Sequence, residues 1–228
     1  MYNICTLTET NMNTNKDKKI SHSREILDKV KTLPLFTFEA IKSNATAGKY
    51  SNVVLHRLVK SGDLLSLKRG IYVSREYLDT LEKNGGKKDY LEFLVSALYS
   101  PSYVSSEYVL AERGILSEAS YSFTGITKNK TARISNELGN FNYHHVKDKL
   151  FTGFDIVEKG TFRIFKATTP KALYDFLYIR KNILNDKSAV LELRLNVELL
   201  SEKEKNELSA FAEKEVSKKM KKIIGDLF

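Results

Sequence analysis

Cysteine occurs once, at Cys5, so the chain cannot close an internal disulfide and has no cysteine pair for a structural zinc. That usage fits a reducing compartment, and a cytoplasmic location is the expectation. No apolar run approaches the roughly 20 residues of a membrane span. The first 22 residues, rich in Asn, Thr and Lys, lack the apolar centre of a signal peptide and read as a disordered polar tail. There is also no glycine-rich phosphate loop and no serine nucleophile elbow. A metal-dependent nuclease would gather acids and a lysine on strand ends. The nearest approach, Glu192-Leu193-Arg194, lies in a helical pattern and ends in arginine. His144 and His145 are neighbours on an expected strand, so they point to opposite faces and cannot easily share an ion. The expectation is a protein with no catalytic residues, metal or cofactor.

What is present is basic charge. The net charge is +9, which favours an anionic partner. It is densest near the front: 14 cations and 9 acids lie up to Gly86, against 23 and 19 in the longer remainder. At 228 residues and 42% hydrophobic, the chain can bury the cores of two modest domains.

The most informative stretch is Phe36 to Val73. It reads as a helix, a short break, a second helix, then two short strands around a basic-glycine turn. That order is a winged helix-turn-helix, which places one helix in the major groove of DNA. In the second helix Val54, Leu55, Leu58 and Val59 form an inner stripe. Lys49, Val53, His56, Arg57 and Lys60 fall on the opposite face, with Tyr50 and Asn52 at its edges. Ser61-Gly62 ends the helix, because glycine tolerates a left-handed cap. Lys68, Arg69 and Gly70 form the tip of a hairpin suited to phosphate.

Such a motif also serves dimerisation or protein docking, and charge separates the readings. From Thr37 to Arg75 seven cations stand against two acids, a net of +5. The expected partner is therefore double-stranded DNA. Lys49, Tyr50, Asn52, His56, Arg57 and Lys60 are the candidate recognition residues. Asn52 could pair with adenine, and Arg57 could read guanine or clamp phosphate. Lys68 and Arg69 are expected on phosphates rather than bases.

A first short helix, Ser23 to Lys31, with Ile26, Leu27 and Val30 inward, would complete the module. The polar passage from Glu82 to Lys88 contains Gly85-Gly86 and reads as a linker or exposed turn. The expected organisation is a tail over 1–22, a DNA-binding domain over 23–86, and a second domain over 87–228.

The second domain should be α+β, with a small antiparallel sheet packed against helices. A helix runs from Tyr90 to Tyr99, Pro101 interrupts the chain, and Ser105 caps a helix that ends at Gly114. Short alternating runs at 121–127, 141–146, 151–157 and 161–167 suggest strands, the last two around Glu158-Lys159-Gly160. Thr169-Pro170 signals a helix start, Thr169 as the cap, with Leu173, Phe176 and Leu177 inward. Asn182 to Leu200 has a mostly helical pattern. Ser201 and Glu204 form a capping box for a charged helix carrying Leu208, Phe211, Ala212, Val216, Met220, Ile223, Ile224 and Leu227 on one face. Lys171 and Asp175, four apart, should form an exposed ion pair beside the apolar stripe or else face a partner. The lysines at 218, 219, 221 and 222 should be a solvated face.

Three segments together resemble the AbiEi family, antitoxins and transcriptional repressors of bacterial abortive-infection toxin–antitoxin systems. They are KRGIYV (68–73), PSYVSSEYVLAERGI (101–115) and KATTPKALYDFL (166–177). The resemblance covers roughly residues 24 to 180. It implies an N-terminal module bound to an operator upstream of its own operon. It also implies a C-terminal domain that counters a nucleotidyltransferase-like toxin, without requiring a stable complex. The chain departs from the family pattern in its polar tail and in the charged helix after Ser201. Two other readings remain: a winged-helix regulator unrelated to toxins, whose second domain dimerises or senses a ligand, and a nucleic-acid-processing enzyme targeted by the winged helix.

Overall fold

The computed structural model describes residues 23–42, 51–118 and 122–228. Lys49, Tyr50 and the N-terminal tail lie outside them. The protein is mixed α/β, with one three-stranded and one six-stranded sheet. Its chain divides into two compact units, Met1–Lys87 and Lys88–Phe228.

Unit one opens with helix α1 (23–30), strand β1 (Phe36–Thr37) and helix α2 (Phe38–Lys42). Helix α3 (Ser51–Ser61) and strands β2 (Leu64–Lys68) and β3 (Ile71–Ser74) follow, in sheet order β1-β3-β2. Its core is small and continuous: Ile26, Val30, Phe36, Val54, Leu55, Leu58 and Leu64, with Leu27, Phe38, Val59 and Tyr72 packed on it. Each such burial contributes roughly 1.5–3 kcal/mol, so three turns of α3 are held by their apolar stripe. Gly62 ends α3 at φ 84°.

Helix α4 (Arg75–Lys83) has no counterpart in the sequence expectations. The Ser74 hydroxyl caps it by accepting from the Tyr77 amide at 3.1 Å. Its end explains the paired glycines. Gly85 sits at φ 70° and donates to the Glu82 carbonyl, while the Gly86 amide donates to Leu81 at 2.9 Å. This is a Schellman stop, an exposed turn after which helix α5 (Lys87–Leu98) begins.

Unit two is built on a mixed sheet of order β6-β7-β5-β4-β9-β8. The strands are β4 (Ser102–Val104), β5 (Ser122–Thr127), β6 (Ala132–Asn136), β7 (Gly139–His145), β8 (Phe154–Lys159) and β9 (Phe162–Ala167). The expectation of an antiparallel sheet is corrected at two places. Strand β7 inserts parallel to β5, and β4 pairs parallel to β9 at Val104 and Lys166. Neither β4 nor β6 was expected. β4 is only three residues long, all buried, too short to display a period.

Helix α6 (Glu107–Glu112) starts at Ser106, not Ser105, and Ser106 takes φ 59° without capping an amide. Helix α7 (Thr169–Arg180) is capped by Thr168, one residue before the expected Thr169; its hydroxyl accepts from the Lys171 amide. Residues 169–177 of α7 are all buried, so the expected one-sided stripe is instead a core helix. The helical reading of Asn182–Leu200 is also corrected. Asp186 caps a short α8 (Lys187–Leu191), and Arg194 turns the chain at φ 48°. The capping box at Ser201 and Glu204 is present and opens α9 (Glu202–Glu215). The expected continuous face then breaks. Val216 adopts φ 59° and is 78% exposed, and Ser217 caps a separate α10 (Lys218–Gly225).

Gly125 shows how tightly α5 lies on the sheet. A methyl group there would stand 2.8 Å from the Tyr143 ring and 2.9 Å from Val95. Gly125→Ala should therefore lower the unfolding free energy by about 1–3 kcal/mol, the usual cost of overpacking. Urea denaturation measures it, and an unchanged midpoint would show that Tyr143 can move aside.

Candidate nucleic-acid interface

The stripe that buries Val54, Leu55 and Leu58 turns the other side of α3 outward. Asn52, Val53, His56, Arg57 and Lys60 are all exposed. Of the expected recognition residues, then, four are brought onto one face, while Lys49 and Tyr50 lie outside the described residues. Arg57 reaches the Ser23 hydroxyl at the start of α1.

The hairpin places the other two candidates. Ser66 pairs with Tyr72 but Lys68 with Ile71, so Leu67 is an extra residue, a bulge that turns its side chain into the core. Lys68 is then the last paired residue, and Arg69 and Gly70 make the turn, with Gly70 at φ 81°. Arg69 is exposed and Lys68 half-buried. Arg75, counted with the basic residues of the module, is committed elsewhere: its Nε donates to the Gly62 carbonyl at 3.4 Å.

The second unit handles charge differently. Lys171 and Asp175 are both 0% exposed, with Nζ to Oδ1 at 2.7 Å. This corrects the expected exposed or partner-facing pair. The other carboxylate oxygen accepts from the Ser105 hydroxyl at 2.7 Å and the Tyr103 hydroxyl at 3.0 Å. The Lys171 ammonium lies 4.9 Å from the Tyr174 ring centre and 5.1 Å from that of Phe211. Gly153 makes room for this arrangement: a methyl there would meet Phe211 at 2.6 Å and Lys171 at 3.0 Å. Burial pushes the Asp175 carboxyl up from its ordinary value, against the pull of Lys171, Ser105 and Tyr103. Burial foremost also raises the Tyr103 hydroxyl well above its usual value, with Asp175 adding to it.

Two clefts open on this unit. One, of about 840 Å³, is lined by Glu112, Arg113, Asp155, Lys166, Thr169 and Lys203 among others. Its charges largely satisfy one another. Lys166 meets Glu112 at 2.5 Å and Glu92 at 3.0 Å, Lys88 meets Glu112 at 2.7 Å, and Arg113 donates to Thr169 at 2.9 Å. The other, of about 780 Å³, is lined by Glu107, Phe176, Arg180, Glu192 and Arg194 among others. There Glu107 pairs with Arg180 and accepts from Thr124 at 3.0 Å. Burial alone would raise Glu107, but Arg180 outweighs it and the carboxyl titrates below its ordinary value. His144, half-buried, is lowered by burial, with Glu107 raising it and Arg180 lowering it. Among the described residues no three His, Cys, Asp or Glu side chains converge as a metal site would require. His145 instead meets the Lys128 and Asn129 carbonyls at 3.0 and 3.1 Å. No helix among the described residues is long and apolar enough to cross a membrane.

No protein-family model matches this chain, and no curated protein matches it.

The buried pair makes a clear demand on stability. Lys171→Met leaves Asp175 enclosed without its counter-charge and should cost about 3–5 kcal/mol in chemical denaturation. Adding Asp175→Asn should recover part of that loss. A single-variant loss below about 1 kcal/mol would mean water reaches the carboxylate.

The Glu107–Arg180 pair predicts an acid dependence. A carboxyl depressed in the folded state contributes stability that is full above its unfolded value of about 4.3 and is lost as pH falls through the folded value. Asp175, raised, contributes in the opposite sense. Denaturation of Glu107→Gln and the unaltered chain should therefore differ at neutral pH and converge as pH falls through the folded value. A difference independent of pH would assign Glu107 a packing role alone.

Proposed function

We propose that this protein is a sequence-specific DNA-binding antitoxin and autorepressor of a bacterial toxin–antitoxin operon. Unit one acts as a winged helix-turn-helix, with α3 as the recognition helix and the β2–β3 turn as the wing. The protein works by binding rather than catalysis, and needs no cofactor. The observation that carries this reading is the outward face of α3: Asn52, His56, Arg57 and Lys60 are exposed together. A helix presenting an amide, an imidazole and two cations has the donors that base edges and phosphates accept. The turn bearing Lys68 and Arg69 adds charge suited to backbone contact.

The second half of the reading rests on the similarity of the segments at 68–73, 101–115 and 166–177 to the AbiEi family. On that basis unit two counters a nucleotidyltransferase-like toxin, and a stable complex between the two is not assumed. The alternative is a winged-helix regulator unrelated to toxins. A ligand-sensing version of it would use a deep apolar pocket. The two clefts described above are instead lined by a mixture of charged, hydroxyl and apolar side chains, several of the charged ones paired, and neither is a deep apolar pocket.

The deciding experiment is a salt titration of binding to the DNA upstream of the protein's own gene, against an unrelated duplex. The unaltered chain should prefer its own upstream DNA, and Arg57→Ala should lose that preference. Ser23→Ala, which removes an internal partner of Arg57, should keep it. Lys68→Ala and Arg69→Ala should weaken both duplexes alike, each flattening the salt slope by about one unit. Equal affinity of the unaltered chain for both duplexes would overturn the reading of α3 as a recognition helix.

A further inference from the structure

Among the outward residues of α3, one does not fit a solvated surface. Val53 is 68% exposed, a branched apolar side chain on a face otherwise made of Asn52, His56, Arg57 and Lys60. Its position is central. At about 100° per residue, Val53 falls between Lys60 and Arg57, opposite the buried Leu55 and Leu58. Helix formation does not call for valine there, since a branched side chain has a lower helix propensity than alanine or lysine. Packing does not call for it either, because the core of this unit is made from the other side of α3.

From this geometry we propose that Val53 is a specificity-determining residue that packs on the 5-methyl group of a thymine in the major groove. The inference rests on the reading of α3 as the recognition helix and deepens it. The chemistry follows from the groove itself. Of the base edges exposed there, only thymine presents an apolar group, and an apolar side chain is its complement. The neighbouring groups fit the same assignment. Asn52 is one residue away and has the paired donor and acceptor that adenine requires, while Arg57 and Lys60 supply the charge that holds the helix against the duplex. Adenine and thymine edges read side by side mean an A·T-containing core to the operator half-site. A protein partner would also accept an exposed valine, but the cations around it favour the polyanion.

The test uses the full chain and two versions of its own upstream duplex, one normal and one with every thymine replaced by deoxyuridine, which removes only the methyl groups. Both are titrated with the unaltered protein and with Val53→Ala, and an unrelated duplex measures preference. The unaltered protein should bind the uracil duplex more weakly. In Val53→Ala the ratio of the two affinities should shrink by about fourfold, the loss of one buried methyl-sized contact. Because the ratio is compared within each protein, any change in duplex shape caused by uracil cancels. Val53 is outside the core, so circular dichroism and denaturation of the variant should match the unaltered chain. A clear preference for its own DNA with the same thymine-to-uracil ratio in both proteins would overturn the assignment of Val53 alone. No preference for its own DNA would overturn the recognition-helix reading and this inference with it, and would direct attention to a protein partner for the same face.

Discussion

A lysine and an aspartate that are both wholly enclosed must find all their partners within the protein, because water supplies none. In this chain the partners come from far apart in sequence. Asp175 and Lys171 lie on α7, while Tyr103 and Ser105 arrive from β4 and the residue just after it. The rings of Tyr174 and Phe211 and the bare backbone of Gly153 close the remaining sides. The consequence is architectural. β4 must lie beside α7, and β4 occupies the middle of the sheet, paired to β5 on one side and β9 on the other. Misplacing any of these elements strands a charge, at a cost several times that of losing one apolar contact. Buried pairs of this kind characteristically add little net stability over an apolar replacement, while removing one partner is costly.

What could be seen in the sequence follows from where each signal originates. Local signals were legible: the stripe of α3, the glycine stop at Gly62 and the capping box at Ser201 are decided within a few residues of themselves. The sheet was only partly legible. Alternation in β5 and the turn at Gly160 appear in the residues, but that β7 inserts beside β5 in parallel is decided by tertiary packing. The spacing of Lys171 and Asp175 carried the opposite message. Two opposite charges four apart on a helix usually mark a surface pair, and nothing nearby reveals that two hydroxyls from about 70 residues away will cover them. Helical periodicity misled across 182–200, where Asp186 and the left-handed Arg194 break the chain into short pieces.

Among the described residues, each unit contains cations held in ion pairs and cations that are not. In unit two several are paired internally: Lys166 with Glu92 and Glu112, Arg180 with Glu107, Lys181 with Glu215 and Lys221 with Glu213. In unit one, Lys60 and Arg69 have no ion-pair partner among the described residues. A cation without an internal partner keeps its field in solution, where it can attract a polyanion and be screened by salt. Lys60 and Arg69 therefore support the proposed interface on unit one, because internal pairing removes a cation from such a contact.

It also bears on what the family resemblance can carry. Of the residues in the similar segments, Tyr103, Ser105, Lys171 and Asp175 form the enclosed cluster, and Glu107 is held by Arg180. These positions determine how unit two folds, and a partner approaching its surface would not touch the cluster. Those side chains are occupied inside unit two. The proposed activity against a toxin would have to be expressed through side chains that remain outside, such as the exposed lysines of α10 or the left-handed Val216 between the last two helices. A substitution at Lys171 or Asp175 that abolished protection would therefore be reporting on folding. A substitution at Val216 or along α10, with the fold intact, would report on contact.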